Sequence, residues 1–495
     1  MTARRRQDLG IFGFALLIAA AVLFFATRSS PAYPINDWCD ANIYLSIGKG
    51  MSQGQVVYRD LYDHKGPLLY FMHMLCAFIR FEDFFGVYVM ETLLCASFLF
   101  LSHKVICLYG ARKAAWAALP VLALMVYTSV SFAEGDSAEE MCMPLMMGMI
   151  YLTLRFLRSG DASMKTGTLM MHGVLAGCIF WIKFTIMGVP AGLLLALFIR
   201  HAVRREWKEC GRMVLWVAAG FALSTVPWIL YFGFAHGIGE WLGVYLYDNL
   251  FLYGGTGLGL MARAKTMIKL VLDWLLSNWR YTVVMALGLV WFIRRGWEGA
   301  ALWLGAGFGA LVVYVGCVEF PYYGQALTPF AIAGVIPLCM LAEKHLHGKR
   351  TAAVPALLTA ACVALCPLVC FNMNADYGVK FGQPREETMH YQFAAYINQT
   401  EDPVLINYGF MDAGFFTAAG IAPKNLYFHC NNVSNPEMHY EQRRYIRDGI
   451  ADYVVTAVVG LPEMDDHYEL IATAKTPDFW YDEVYLYRRK GLRNS

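Results

Sequence analysis

The chain has few charged residues for its length. Asp, Glu, Lys and Arg make up 16% of its 495 residues, whereas hydrophobic residues make up 58% and the mean hydropathy is +0.43. Soluble globular domains carry about 25% charged residues. The formal net charge is only +2, and nucleic-acid-binding domains are usually strongly basic. The composition therefore argues against an ordinary soluble domain and predicts a polytopic membrane protein with no nucleic-acid partner.

The sequence also lacks metal-binding motifs and repeats. Its 13 cysteines are mostly scattered singly through apolar runs, which is typical of small buried hydrophobic side chains. No CxxC pair or Cys/His cluster has the spacing of a zinc site. No internal repeat or low-complexity tract is present, although many transporters are built from inverted repeats.

What the sequence does contain is a series of long apolar runs. A membrane-spanning helix needs about 20 mostly apolar residues. We predict eleven spans, at 9–27, 85–108, 114–132, 140–157, 167–182, 184–200, 213–234, 279–294, 298–317, 326–342 and 352–373. The stretch 165–200 also fits one long kinked hairpin. The apolar run 66–80 is too short to span and is predicted to be a re-entrant or interfacial helix.

The distribution of basic residues predicts the orientation of these spans. Most Lys and Arg residues between spans fall on one side, which is expected to be cytoplasmic. The chain is thus predicted to be a multi-pass protein of the cytoplasmic membrane, with its N-terminus in the cytoplasm. An odd number of spans places the C-terminus and the loop after the first span outside the cytoplasm.

The character of the sequence changes near residue 375. Charged residues become more frequent, and short β-like runs at 404–408, 426–429, 453–458 and 484–487 alternate with helix-like stretches such as 436–448. We therefore predict two domains: a transmembrane domain at 1–374, with an external loop at 28–84, and a small extracytoplasmic α/β domain at 375–495.

The first external loop concentrates the polar residues of the membrane domain in segment 37–67. Asp40 precedes a helical pattern in which Tyr44 lies one turn further on. An acid at this position can be a helix N-cap or a general base at the membrane face, and both interpretations stay open. Glycines at 48, 50 and 54 predict the end of this helix, and Pro67 predicts the start of the next one.

The end of this segment reads YRDLYDHKGP. Lys65 stands just before the helix that is predicted to begin at Pro67. A lysine there could bind a phosphate with help from the helix N-terminus. It could instead extend along the interface to lipid headgroups.

A second external loop is very short and acidic, with Glu134, Asp136, Glu139 and Glu140. Ionisable residues at membrane depth are costly and suggest function, whereas a solvated loop is the alternative. Glu91, inside the second span, is expected to form an interhelical hydrogen bond.

Three basic residues elsewhere are further candidates. Lys183 lies between two apolar runs and marks either a tight external turn or an anion site. Arg263 and Lys265 belong to the amphipathic stretch 261–276, which is predicted to be an interfacial helix.

These motifs, in this order, resemble a known family. The chain has one span, an external D-x-x-x-Y helix from Asp40, the stretch YRDLYDHKGPLLY, and the short acidic loop. Over about residues 1–345 it resembles bacterial GT-C-type membrane glycosyltransferases of the family-39 kind, which are related to protein O-mannosyltransferases and aminoarabinose transferases. It is most similar to the branch whose first loop carries DHKGP.

The resemblance implies roles for individual residues. Asp40 matches the first-loop aspartate that acts as the base, and Lys65 matches the lysine that contacts the donor phosphate, beside Arg59, Asp63 and His64 of the same motif. Glu139 matches the acidic residue that opens the fourth span, with Glu140 as a rival. The family's downstream phosphate-binding basic residue has three candidates here: Lys183, Arg263 and Lys265.

The predicted activity is transfer of a sugar from a polyprenyl-phosphate donor to an acceptor at the outer face of the membrane. The acceptor would be an envelope glycan, a lipid or a protein, and membrane lipids would surround the enzyme. Such a transfer needs a carboxylate to deprotonate the acceptor and cations to stabilise the leaving phosphate. No cofactor is required, but Asp40 and Glu139 could hold a divalent cation. A transporter or flippase, or a polysaccharide polymerase or ligase, is the alternative.

Overall fold

The computed structural model describes residues 3–252, 258–348, 350–373, 375–475 and 482–492. The α-helices in these ranges are, in chain order, α1 (Ala3–Ala26), α2 (Cys39–Ser52), α3 (Pro67–Ile79), α4 (Phe85–Leu108), α5 (Ala114–Tyr127), α6 (Ala138–Ser159), α7 (Thr166–Ile182), α8 (Gly188–Val203), α9 (Trp207–Phe234), α10 (Ile238–Leu242), α11 (Leu260–Ser277), α12 (Trp279–Phe292), α13 (Gly296–Tyr314), α14 (Ile332–Glu343), α15 (Arg350–Met373), α16 (Ala375–Lys380), α17 (Met389–Ile397), α18 (Phe415–Ala419), α19 (Pro436–Arg447) and α20 (Pro462–His467). A π-helical turn follows α10 at Gly243–Leu252, and 3-10 turns lie at Phe184–Ile186, Pro321–Ala331 and Arg385–Glu387.

All eleven predicted spans are helices in the structure. Within the described ranges, eight helical stretches are long and apolar enough to cross a membrane. The other three predicted spans are the shorter apolar helices α5, α7 and α12. The polytopic helical fold is therefore confirmed. In the stretch 165–200, where a kinked hairpin is the alternative to two spans, the chain breaks at Lys183 into α7 and α8.

The short apolar run after the first loop forms helix α3. Pro67 occupies its first turn, as predicted, and Gly66 is its N-cap. Leu69, Tyr70 and Cys76 are buried, whereas Phe78 and Ile79 are exposed. One side of α3 is thus packed and another is apolar and open, which fits the predicted interfacial or re-entrant helix.

Close packing explains two of the glycines in α2, Gly48 against α3 and Gly50 against the Leu61 side chain. The predicted helix end at Gly48 and Gly50 is wrong, because α2 continues through both residues to Ser52. A Cβ atom on Gly48 would lie 2.5 Å from the backbone carbonyl carbon of His73. These glycines are therefore sites of close approach between segments, and the positive φ of 92° at Gly54 marks the turn after the helix.

The C-terminal region contains a four-stranded mixed sheet in the order β1-β2-β4-β3. Its strands are β1 (Leu405–Tyr408), β2 (Tyr453–Thr456), β3 (Tyr468–Lys475) and β4 (Glu483–Arg489). β1 and β2 pair in parallel, and β4 is antiparallel to both β2 and β3. Helix α19 belongs to the β1–β2 crossover, as a parallel connection requires. The small α/β region is thereby confirmed.

One predicted strand, at 426–429, is not a strand. The carbonyl of Leu426 accepts the N–H of Tyr62, and the carbonyl of Phe428 accepts that of Asn407. The intervening carbonyl accepts the Gln442 side chain. Since its backbone groups bind three different segments, this run forms no ladder.

The contacts divide the chain into two compact units. One comprises Met1–Thr27, Met90–Pro227 and Thr256–Gly378. The other comprises Arg28–Val89, Trp228–Gly255 and Val379–Ser495. We call them the helical unit and the loop unit. The loop unit combines the first external loop with the C-terminal sheet, so the predicted boundary at residue 375 stays a prediction of domain organisation.

Candidate active site

Helix α2 places Asp40 in its first turn. The N-cap is Trp38, which makes no capping hydrogen bond through its side chain, so the N-cap interpretation of Asp40 is wrong. The carboxylate accepts a hydrogen bond from the Tyr44 hydroxyl at 3.1 Å, and the residue is only 6% exposed. The helix dipole favours a negative charge at this end of α2.

The motif residues Asp63, His64 and Lys65 form a chain of polar contacts in the same unit. Tyr70 donates its hydroxyl hydrogen to Asp63 at 2.5 Å. Asp63 Oδ1 lies 3.2 Å from His64 Nδ1, and Lys65 Nζ lies 3.1 Å from His64 Nε2. Asp63 and His64 are buried, whereas Lys65 is half-buried. The carboxylate thus orients the ring, and the ring orients the ammonium.

Tyrosine and asparagine side chains fix the backbone of this motif. The Tyr58 hydroxyl donates to the Lys65 carbonyl at 2.6 Å, and the Lys65 N–H donates to the Tyr70 hydroxyl at 2.9 Å. Asn249 donates to the His64 carbonyl at 2.6 Å. Tyr58 has a φ of 72°, a strained conformation for a bulky residue that persists only when its surroundings hold it.

Electrostatics keep the Asp63 carboxylate charged. Burial raises the pKa of Asp63, but the neighbouring His64 ring and Lys65 ammonium outweigh burial and hold that pKa well below its ordinary range. Burial and the charge of Lys65 lower the pKa of His64. At neutral pH His64 is therefore neutral, and a neutral ring can accept a hydrogen bond at Nε2 from the Lys65 ammonium.

The candidate base and the candidate cation converge on this histidine. Burial is the largest influence on the pKa of His64, and among the charged neighbours Lys65 lowers that pKa while Asp63 and Asp40 raise it. Residues from α2 and from the loop before α3 thus act on the same imidazole ring.

Arg59, another predicted donor-binding residue, has structural partners. Its guanidinium contacts the Asp60 carboxylate twice, at 2.8 Å each, and donates to the Ala235 carbonyl at 2.5 Å. Its side chain remains 39% exposed. Its role in donor binding stays a prediction.

In the helical unit, Glu139 and Lys183 form a buried ion pair. Lys183 Nζ lies 2.6 Å from Glu139 Oε1 and 4.2 Å from the centroid of the Tyr323 ring. Glu139 Oε2 has no hydrogen-bond partner among the described residues. Lys183 ends α7 just before a 3-10 turn, and Glu139 balances its charge. Binding of a donor phosphate by Lys183 stays a prediction.

Glu140 belongs to a different cluster from Glu139. Glu140 and Glu91 both accept the backbone N–H of Asp136, each at 2.9 Å. The Thr27 hydroxyl also donates to Glu91 at 2.9 Å, which confirms the interhelical hydrogen bond expected for that residue. Asp136 has a φ of 60°, so this buried acidic loop is conformationally strained.

Arg263 and Lys265 lie on α11 in the helical unit. Arg263 is half-buried and Lys265 is exposed. Leu270 and Trp274 are the buried residues of α11, which agrees with the predicted amphipathic pattern. Phosphate binding by these two residues stays a prediction.

A divalent cation finds little support in the described ranges. No group of three or more His, Cys, Asp or Glu side chains there is arranged to hold a metal ion. One of the two proposed ligands, Glu139, already pairs with Lys183. A divalent cation held by Asp40 and Glu139 stays a prediction.

Sequence reasoning missed two groups that shape the site. Tyr70 stands in the recognised motif, five residues after Lys65, but aromatic residues near a bilayer usually signal an interfacial belt. Asn249 gave no signal, because it lies 185 residues from its partner in the chain.

Comparison with solved structures finds the same fold in a known protein. Two crystal structures of ArnT from Cupriavidus metallidurans are similar over nearly the whole chain. The structure bound to undecaprenyl phosphate has a TM-score of 0.60 and 14% identity, covering 98% of this chain and 99% of that chain. The apo structure has a TM-score of 0.60 and 13% identity, covering 98% of both chains.

Sequence comparison alone finds no relative. No protein-family model matches the chain, and no curated protein matches it significantly. The structural likeness therefore carries the comparison, and at this level of identity it establishes the fold.

Proposed function

We propose that this protein is a membrane glycosyltransferase that moves a sugar from a polyprenyl-phosphate donor to an acceptor hydroxyl at the outer face of the cytoplasmic membrane. The observation that carries the proposal is the Asp63–His64–Lys65 chain, which orients an ammonium on a ring that the charge of the buried Asp40 also influences. The fold it shares with ArnT, whose structure has been determined with undecaprenyl phosphate bound, supports the same lipid class as the donor carrier.

In the proposed reaction Asp40 acts as the general base. Its carboxylate removes the proton of the acceptor hydroxyl as the acceptor oxygen bonds to the anomeric carbon of the sugar. The bond between that carbon and the phosphate oxygen breaks, and its electron pair leaves with the polyprenyl phosphate. A positioned general base contributes about 10²–10⁴-fold to a rate.

Lys65 stabilises the leaving group in this scheme. Negative charge builds on the phosphate as the bond breaks, and a preorganised cation is most effective where such charge develops. A neutral His64 limits the directions that the Lys65 ammonium can take. Asp63 and His64 therefore act as positioning residues, and the resulting proton on Asp40 is lost to solvent after transfer.

The test uses purified full-length protein in detergent with radiolabelled sugar on a polyprenyl-phosphate carrier. We expect Asp40→Asn to lower the transfer rate by at least about 100-fold, and Lys65→Ala to lower both the rate and the affinity for undecaprenyl phosphate. Asp402→Asn is the matched control, because this carboxylate is 83% exposed. Equal transfer by all four proteins would refute the assigned roles, whereas uptake of the lipid-linked sugar into proteoliposomes without product would favour a transporter.

A further inference from the structure

The loop unit contains a second cleft, which the proposed reaction does not use. It encloses about 370 Å³, part of it open to solvent. Three segments line it: the stretch that follows α1, the connection from α3 to α4, and residues 385 and 391 near the start of the C-terminal region. None of its lining residues belongs to the Asp40 and Lys65 site.

The lining of this cleft is strongly basic. Arg28, Arg80 and Arg385 contribute to it, and Asp83 is its carboxylate. The same Asp83 oxygen accepts from Arg385 at 2.7 Å and lies 3.4 Å from Arg80 Nε.

The third arginine of the lining, Arg28, pairs with a second carboxylate that lies outside the lining. Asp37 pairs with Arg28 and, at 2.7 Å, with Lys380. Burial raises the pKa of Asp37, but Arg28 and Lys380 outweigh it and hold that pKa well below its ordinary range. Four cationic side chains thus pair with two carboxylates, and Glu386 is a further acidic neighbour of Arg385, so the cluster keeps a small net positive charge.

The arrangement of the arginines suits a phosphate group. Guanidinium groups match phosphate oxygens in a bidentate geometry. The Arg28 side chain is 6% exposed and closes the inner end, whereas Arg80 and Arg385 are 52% and 38% exposed at the open side. Ring contacts hold the outer pair: Arg80 lies 5.8 Å from the Phe85 centroid and Arg385 lies 5.6 Å from the Tyr391 centroid.

The position of the cleft in the chain points to a lipid as the source of the phosphate. Arg28 follows the end of α1 by two residues, and Phe85 is the first residue of α4. Both helices are long and apolar enough to cross a membrane, so the cleft residues lie at the ends of predicted spans, at the level of lipid headgroups. The apolar side chains of Pro31 and Phe84 also line it, beside the charges.

We propose that this cleft binds the phosphate group of a membrane lipid, at a site separate from Lys65. The ligand class is an amphiphile with an exposed phosphate monoester or diester. The inference does not depend on sugar transfer, because the cleft would bind its lipid whether or not the protein is an enzyme.

The experiment measures lipid binding to purified full-length protein in detergent by native mass spectrometry. Short-chain phosphatidic acid and inorganic phosphate are the two probes. For phosphatidic acid we expect the variant Arg80→Gln/Arg385→Gln to bind at least about tenfold more weakly than the parent. Arg447→Gln is the matched control, since Arg447 is an exposed arginine paired with the adjacent Asp448, and it should bind as the parent does.

Several outcomes would overturn the proposal. Equal phosphatidic acid affinity in the double variant and the parent would show that the arginines serve only to pair with Asp83. Inorganic phosphate binding as tightly as phosphatidic acid would exclude a lipid site. We also expect the Lys65→Ala variant to bind phosphatidic acid as tightly as the parent does. Weaker binding of phosphatidic acid by this variant would place the lipid at the Lys65 site instead. A thermal melt without lipid checks that the double variant is folded.

Discussion

At the scale of single residues, the site depends on how Lys65 is held. A lysine side chain has many rotamers, and restricting it to one of them on binding costs conformational entropy. A lysine that is already held in one orientation before the ligand binds avoids this cost. Asp63 contacts His64, which in turn contacts Lys65, so the contribution of Asp63 should appear in donor binding more than in protein stability.

Replacing Asp63 tests this positioning role. In Asp63→Asn the amide can still accept from Tyr70, but the negative charge opposite His64 is lost. We expect about tenfold weaker binding of undecaprenyl phosphate, with the affinity for the acceptor unchanged. Asp402→Asn is the control, because this carboxylate is 83% exposed. An Asp63→Asn protein that binds the lipid as the parent does would show that Asp63 only supports the fold.

A second residue, Lys49 on α2, has an unusual environment. It is fully buried, and its Nζ has no hydrogen-bond partner among the described residues. Burial lowers its pKa from 10.5 to about 7, against the opposing carboxylates of Asp412, Glu82 and Asp83. Burial in turn raises the pKa of Asp412, which the Ser46 hydroxyl contacts at 2.6 Å.

This environment predicts a pH dependence of stability. Between pH 7 and 10.5 the unfolded chain keeps the Lys49 proton and the folded protein does not, so the free energy of unfolding should rise with pH in this window. Lys49→Met removes the titrating group at similar volume. We expect its melting temperature to exceed that of the parent most at pH 7, with the difference shrinking towards pH 10. A difference that is constant with pH would contradict the assigned titration.

At the scale of secondary-structure elements, the Glu139–Lys183 pair joins the start of α6 to the end of α7. Breaking a buried ion pair by removing one partner costs about 3–5 kcal/mol, whereas replacing both partners is often nearly neutral. The pair therefore has a structural effect that must be separated from any catalytic role of Glu139.

A double-mutant cycle separates the two. We expect Glu139→Gln and Lys183→Met to lower the melting temperature individually, and the double variant to recover much of the loss. If Glu139 is also catalytic, the double variant will be folded but inactive in sugar transfer. Full activity in the double variant would exclude Glu139 from catalysis, and single variants as stable as the parent would contradict the pairing.

The contact between α2 and α3 gives another prediction at this scale. Gly48→Ala would force a Cβ against the backbone of His73, and such overpacking costs about 1–3 kcal/mol. We expect a lower melting temperature and slower transfer, because α2 carries Asp40. Gly13→Ala in α1 is the control, since nothing lies within 4 Å of its added Cβ. Equal melting of both variants would show that α2 and α3 can separate freely.

At the scale of the whole molecule, the sequence predicts the helices far better than the site. Apolar runs such as 85–108 reveal spans because the bilayer demands about 20 apolar residues in a row. The run 426–429 is wrongly predicted to be a strand. Its sequence has a β-like pattern, but its backbone groups form single hydrogen bonds to distant segments. The partners of the site, such as Asn249 beside His64, come from tertiary folding and leave no local pattern.

The loop unit shows the same limit. Sequence composition separates residues after 375 from the spans, but it gives no hint that Arg28–Val89 groups with them. That grouping depends on contacts such as the hydrogen bond between Ser46 and Asp412, which are 366 residues apart in the chain. Domain organisation in such a chain therefore has to be read from structure.

The central claim is that Lys65 holds the phosphate of a polyprenyl carrier beside Asp40. A cryo-electron microscopy structure of the protein with undecaprenyl phosphate tests it most directly. We predict phosphate density within about 3 Å of Lys65 Nζ, the distance of a charge-assisted hydrogen bond, and loss of that density in Lys65→Ala. A well-ordered lipid phosphate bound away from Lys65, with the Lys65 site empty, would contradict the account.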